Sequence, residues 1–275
     1  MRRLTVEIAG LEPGARLLAP AGMATPAEAV AAASVTGGRI AAVLPEPELG
    51  LAALEIAAEG GPLTLSYEIA PGGPAYPDIM FAPRATRYTT PADDLAQASV
   101  EVARAAGGGM AGIAALVAEA EARFAYAHPE VRFNDGTEAV PYLSCGLTTG
   151  SCIDINTYLV ASLRAAGFEA GYVYGYFFPA EKGGVTDDMH CWVVTRHAGV
   201  VQHWDIAHHM KAGLGPARDA LNPRPGRRVA LGHSMGHRYG HGAGVVTLKL
   251  LAEPVLIGAD GKPGPAPLVA RLAAP

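Results

Sequence analysis

The apolar residues of this chain change their spacing near residue 88, and that change limits the possible folds more than any single motif does. Before it they alternate: Leu4, Val6 and Ile8 share one face of an extended segment, and Leu63, Leu65, Tyr67 and Ile69 share the face of another. Side chains two apart line one side of a strand, so the pattern predicts β-structure with one buried face. Turn signals such as Pro71-Gly72-Gly73-Pro74 divide the segments. Beyond the stretch from Phe81 to Tyr88 the spacing becomes three and four, which predicts helices. Thr90 is placed to cap the first, with Pro91 at its first position, Asp93 in its first turn and Gly107, Gly108 and Gly109 ending it. Met110, Ile113, Leu116, Val117, Ala120 and Phe124 form the stripe of the second. The expected organisation is a β-rich domain over residues 1–88 and an α+β domain over 89–275.

Of the 18 aromatic residues, 13 lie between Phe124 and Trp204, so the bulky packing and the expected site fall in the same stretch. Within it, Ser151 and Cys152 precede a helix with Ile155, Leu159, Leu163 and Ala166 on one face and Gly167 as its stop. An alternating strand from Gly171 to Tyr176 follows, then a loop containing Pro179, Gly183 and Gly184. A strand beginning near His190 turns at Arg196-His197-Ala198-Gly199 and returns to Trp204 and Asp205. The Gly/His/Pro-rich remainder offers one strand, Val245 to Leu251.

Composition narrows the function. Charged residues are only 17%, and the net charge of −5 gives no phosphate-tracking surface, so no nucleic-acid partner is expected. The 34 glycines and 22 prolines interrupt every apolar run before the ~18 residues a spanning helix needs, so no membrane partner is expected either. Glu7 follows the two N-terminal arginines before an apolar stretch can form, and the expected location is the cytoplasm. Three cysteines, Cys145, Cys152 and Cys191, are too few for a disulfide framework and are expected as free thiols.

Cys152 stands where chemistry is favoured. A thiol at a helix start faces unpaired backbone N–H groups and the positive end of the dipole, which favour the thiolate. The hairpin supplies a base: with Arg196 paired to Gly199, His190 falls opposite Asp205, and opposite residues share a face. An acid beside the imidazole would fix its tautomer and support its charged form.

The run Gly150-Ser151-Cys152 leading to Leu163-Arg164-Ala165-Ala166-Gly167, then Tyr172-Val173-Tyr174-Gly175-Tyr176, His190-Cys191-Trp192 and Trp204-Asp205, resembles the transglutaminase-like superfamily in order and spacing. The resemblance runs from about Thr90 to Ala207. It implies an α+β, papain-like fold of helices packed on an antiparallel sheet, preceded by the small β-rich domain, with Cys152 as nucleophile, His190 as base and Asp205 as orienter. It further implies acyl transfer on an amide or peptide-type bond through a thioester, with a peptide, protein or small-amide substrate and no cofactor; it allows both hydrolysis and transamidation, and hydrolysis is slightly favoured because no second substrate groove is evident. Family members often place an upstream Trp as second oxyanion donor, and this chain has none before Trp192; Tyr142, Thr148, Thr149 or another backbone amide are the candidates. Tyr176 and Trp192 are candidates to line the substrate cleft. Many members have Asp-Pro where this chain has Asp205-Ile206.

Two other motifs compete. Gly232-His233-Ser234-Met235-Gly236 fits the nucleophile elbow G-x-S-x-G, but the glycines that follow break the helix an elbow needs. His233, His237 and His241 recur every four residues and, with His208 and His209, suggest a metal-binding module without catalysis. The glycines among them favour solvated loop histidines instead. Cys191 is expected in the core, facing away from His190.

Overall fold

The computed structural model describes residues 1–241 and 244–273, the side chain of His241 excepted. The chain is α+β and divides into two units, each discontinuous in sequence. One comprises Met1–Ile79, Tyr174–His190 and Pro225–Pro275; the other comprises Met80–Val173 and Cys191–Arg224. The C-terminal region, expected as an extension of the 89–275 domain, therefore packs with the N-terminal strands instead.

In the first unit the two alternating segments pair with each other. Arg2–Leu11 runs antiparallel to Gly61–Pro71, with Leu4 opposite Tyr67, Val6 opposite Leu65 and Ile8 opposite Leu63. This register puts both apolar sets on one face. Their sheet has the order Val185–Thr186, Leu268–Leu272, Arg2–Leu11, Gly61–Pro71, Glu28–Thr36. A second sheet has the order Pro263–Pro265, Val255–Ile257, Arg16–Pro20, Leu51–Ala58, Gly38–Glu46. The apolar faces of both supply one core, in which Leu4, Val6, Leu17, Ile56 and Leu65 are fully buried. The region beyond residue 225 holds strands at Gly226–His233, His237–His241, Gly244–Leu248, Val255–Ile257, Pro263–Pro265 and Leu268–Leu272, where one was expected. Short strands with frequent Gly and Pro lack a long alternation to betray them, and pairing across the sheet supplies what local propensity does not.

The second unit carries four helices: α1 (Asp93–Ala105), α2 (Gly109–Arg123), α3 (Cys152–Ala165) and α4 (Ile206–Ala212). α1 starts two residues later than its sequence signals suggest. Ala92 N–H donates to Val140 O and Val140 N–H to Thr90 O, so Thr90 and Pro91 are held in extended pairing instead of capping. Gly107, Gly108 and Gly109 all have positive φ, 91°, 71° and 55°, a run of left-handed residues that only glycine tolerates and that separates the two helices. The first three helices pack on one another. Strand Phe124–Tyr126 pairs in parallel with Thr148–Gly150, which runs directly into Ser151.

Strand Glu169–Pro179 is longer than expected and is buried from Ala170 onward on both faces. Burial of both faces is what removes the alternation, and the strand is also an inner one of its sheet. Gly175 sits where a Cβ would collide with Val229 O, so the tyrosine stripe needs a glycine there. Met189–His197 and Val200–Trp204 form the expected hairpin, in a register two residues different. His197 pairs with Val200 and Val193 with Trp204, and the turn is Ala198-Gly199, with φ of 49° and 78°. Two consecutive positive φ values give the primed turn whose twist suits a hairpin. A slip of two preserves which residues share a face, so Asp205 keeps its side of the ribbon although it lies beyond the last pair. Among the described residues, no helix is long and apolar enough to cross a membrane.

Candidate active site

Cys152 is the first residue of α3, and the turn that holds it is closed by a capping box. Ser151 Oγ accepts from Ile153 N–H at 3.3 Å, and Asp154 Oδ2 accepts from Ser151 N–H at 2.9 Å and Ser151 O–H at 2.8 Å. The Ser151-x-x-Asp154 spacing is a recognisable start signal that fixes the N-terminus at this residue. Arg132 Nη1 adds a 2.7 Å ion pair to Asp154 Oδ2. At the other end, Gly167 (φ 82°) closes the helix, with Phe168 N–H donating to Leu163 O. Arg164 donates from Nε and Nη2 to Ala170 O, tying α3 to the start of the next strand, and burial lowers its pKa to about 10.

One turn into α3, Asn156 Nδ2 donates to Cys191 O at 2.9 Å and approaches Cys191 Sγ at 3.4 Å. Residues four apart lie on the same helix face, so the Cys152 turn is docked against the strand in which His190 precedes Cys191. Tyr172 O–H donates to Cys191 Sγ at 3.0 Å. Burial holds that phenol well above its usual range, and Cys191 and Cys152 act in the same direction. Cys152 is 6% exposed, Cys191 is fully buried and Cys145 is exposed; all three are free thiols.

Asp205 is fully buried and caps α4. Its Oδ1 accepts from His208 N–H at 3.0 Å, and its Oδ2 lies 2.9 Å from His208 Nδ1. Its backbone carbonyl lies 2.9 Å from His209 Nδ1. The departure from Asp-Pro is accounted for here: Ile206 occupies the first helical position, where proline is tolerated but not needed. His190, 7% exposed, lies with its ring 6.1 Å from that of Phe177. Within the second unit Asp205 and His208 are two adjacent donors of the kind a metal ion takes, and each already engages the other.

The other sequence candidates are placed differently. Tyr176 is fully buried in the apolar core of the first unit, and Trp192 is 2% exposed, so both rings pack instead of lining an open cleft. Tyr142 accepts from Arg123 Nη2 at 2.9 Å. Thr149 is exposed, on the strand that leads into Cys152. His233 and His237 are fully buried strand residues, which corrects the solvated-loop expectation. His237 is held by the hydroxyls of Tyr174 at 2.9 Å and Tyr239 at 3.1 Å, and His233 Nδ1 lies 2.9 Å from Ser234 Oγ. The side chain of His241 lies outside the described residues. Ser234 does have an elbow-like positive φ of 66°, but a strand, His237–His241, follows it where an elbow requires a helix. His208, Asn156 and Arg132 were not expected at the site. Only His208 had a local signal, an Asp205-x-x-His208 cap.

Residues 96–201 match the model of the Transglutaminase-like superfamily, and the chain has the transglutaminase-like fold. A candidate cysteine protease from Cytophaga hutchinsonii aligns over 99% of this chain and 97% of its own, at 11% identity and a TM-score of 0.54. The periplasmic domain of TgpA from Pseudomonas aeruginosa, bound to ethylmercury, aligns over 78% of this chain and 92% of its own, at 15% identity and a TM-score of 0.40. No curated protein sequence matches the chain.

Proposed function

We propose that the protein is a cysteine-dependent acyl-transfer enzyme. Cys152 Sγ attacks the carbonyl carbon of an amide, and His190 accepts the thiol proton and passes it to the departing amine. Asp205 holds the imidazole. The acyl group then rests on Cys152 as a thioester, and water, deprotonated by His190, releases it as a carboxylic acid. The Cys152 backbone N–H, at the helix start, serves as one oxyanion donor. Hydrolysis is preferred over transfer to an amine, on a peptide, protein or small-amide substrate.

One observation supports the reading: the helix start that bears Cys152 is docked through Asn156 on Cys191, the strand neighbour of His190, and the buried carboxylate of Asp205 lies 2.9 Å from an imidazole, that of His208. The test is site-resolved mass spectrometry after iodoacetamide treatment at pH 6, wild type against His190→Ala. Rapid alkylation of Cys152 that slows in the variant is expected. Equal, slow labelling of Cys152 in both would overturn the assignment. An acyl donor offered with a primary amine then separates the two outcomes, the free acid being the expected product.

A further inference from the structure

The cap that starts α3 creates an electrostatic problem for the residue it positions. Asp154 is fully buried in the first helical turn, two residues from Cys152, and its Oδ2 collects three donors. A carboxylate at a helix start favours the helix, but it opposes a second anion in the same turn. The field of Asp154 also extends beyond its own bonds: it acts on Tyr172, which feels the Cys152 sulfur as well. The helix end therefore favours a thiolate at Cys152 and its own capping residue disfavours one.

We propose that Arg132 is a positioning residue that keeps Cys152 ionisable by cancelling the Asp154 charge. This rests on the reading of Cys152 as the nucleophile. Arg132 Nη1 reaches Asp154 Oδ2 at 2.7 Å and Ser151 Oγ at 3.0 Å, so one cation engages both members of the capping box. Its side chain is 29% exposed while Asp154 is fully enclosed, and the guanidinium thus brings countercharge from the solvent side to a carboxylate that water does not reach. The titratable and charged groups that the second unit brings to the Cys152 turn include Asp154 on its own helix, Arg132 from the preceding segment, Tyr172 from Glu169–Pro179 and Cys191 from Met189–His197. Arg132 brings a permanent positive charge to that set. Both contacts come from the single atom Nη1, so a lysine ammonium, with three donors on one nitrogen, can supply the same charge.

The experiment is the pH dependence of iodoacetamide alkylation at Cys152, read by site-resolved mass spectrometry. It compares wild type, Arg132→Lys, Arg132→Met and the double variant Arg132→Met/Asp154→Asn. Arg132→Met is expected to raise the midpoint by about one pH unit, the scale of one uncompensated charge a few ångströms away. Arg132→Lys should stay close to wild type. The double variant should return most of the shift, because it removes both charges while asparagine still accepts from Ser151. An unchanged midpoint in Arg132→Met overturns the inference, and so does a double variant displaced as far as Arg132→Met, since that would make the effect one of geometry. Should Arg132→Met fold poorly, the double variant against wild type decides: a midpoint far above wild type overturns the inference. Failure of the enzymatic reading looks different. Wild-type Cys152 would then titrate like an ordinary thiol without dependence on His190, whatever Arg132 does.

Discussion

Two regions of this molecule bury histidines, and they bury them in opposite company. At Asp205 the imidazole of His208 lies 2.9 Å from a carboxylate. Around His237 the neighbours are the phenols of Tyr174 and Tyr239, whose pKa values burial raises. A carboxylate sets a tautomer and supports an imidazolium, whereas hydroxyls satisfy a ring without contributing a charge of their own. The first environment suits proton transfer, and the second is a satisfied polar network inside a β core. Burial does not separate the two cases. The partner does.

The largest expected effect tests the first environment. Asp205→Asn preserves the cap of α4, because asparagine caps nearly as well as aspartate, yet removes the charge facing the imidazole. We expect roughly a 10²- to 10⁴-fold loss in hydrolysis of an amide substrate, with little change in thermal stability. A variant that keeps its rate would place catalysis elsewhere. The counterpart is His237→Leu, which leaves two buried phenol hydroxyls without their ring partner. It should destabilise the fold by about 2–3 kcal/mol in denaturant titration while leaving Cys152 alkylation unaltered in the folded protein. Loss of alkylation there would erase the distinction between the regions.

The same contrast governs what could be read from the chain. The places of Cys152, His190 and Asp205 in the fold were legible because each sits at an element boundary with a local signal: a cap, a strand start, a strand end. The hairpin register was misjudged by two residues, since Ala198-Gly199 is not a standard primed-turn pair and only the observed φ values reveal it. His233 and His237 looked like solvated loop residues because glycines surround them, and the buried partner of His237 is Tyr174, more than fifty residues earlier in the chain. Asn156 and Arg132 carried no signal at all. Their roles come from contacts with Cys191 and Asp154, separations that no periodicity encodes.

Carboxyls divide along the same line, and pH exposes it. Glu253 has its pKa raised from 4.5 to about 7, first by burial and then by the neighbouring Asp188. Folding therefore favours the protonated form. Between about pH 4.5 and 7 the folded chain binds more protons than the unfolded one, so this group makes stability fall as pH rises through that window. The expected loss is on the order of 2 kcal/mol. Glu253→Gln should flatten that slope and stabilise the protein above pH 7 in thermal melts. An unchanged slope would mean that Glu253 is better hydrated than its surroundings imply.

The smallest effect concerns backbone strain, of which each region holds one case. Ala198 and Ser234 are the non-glycine residues with positive φ among those described, at 49° and 66°. Ser234 has compensation: its hydroxyl lies 2.9 Å from His233 Nδ1 in a fully buried site. Ala198 has only a methyl group, which left-handed geometry crowds against its own backbone. Glycine at 198 relieves that crowding but adds freedom to the unfolded chain, so a net stabilisation of about 0.5 kcal/mol is expected. Glycine at 234 relieves a similar strain and forfeits a buried hydrogen bond, so the sign should reverse. Equilibrium denaturation of Ala198→Gly and Ser234→Gly measures both, and a gain in both would show that the Ser234 hydroxyl contributes nothing to the fold.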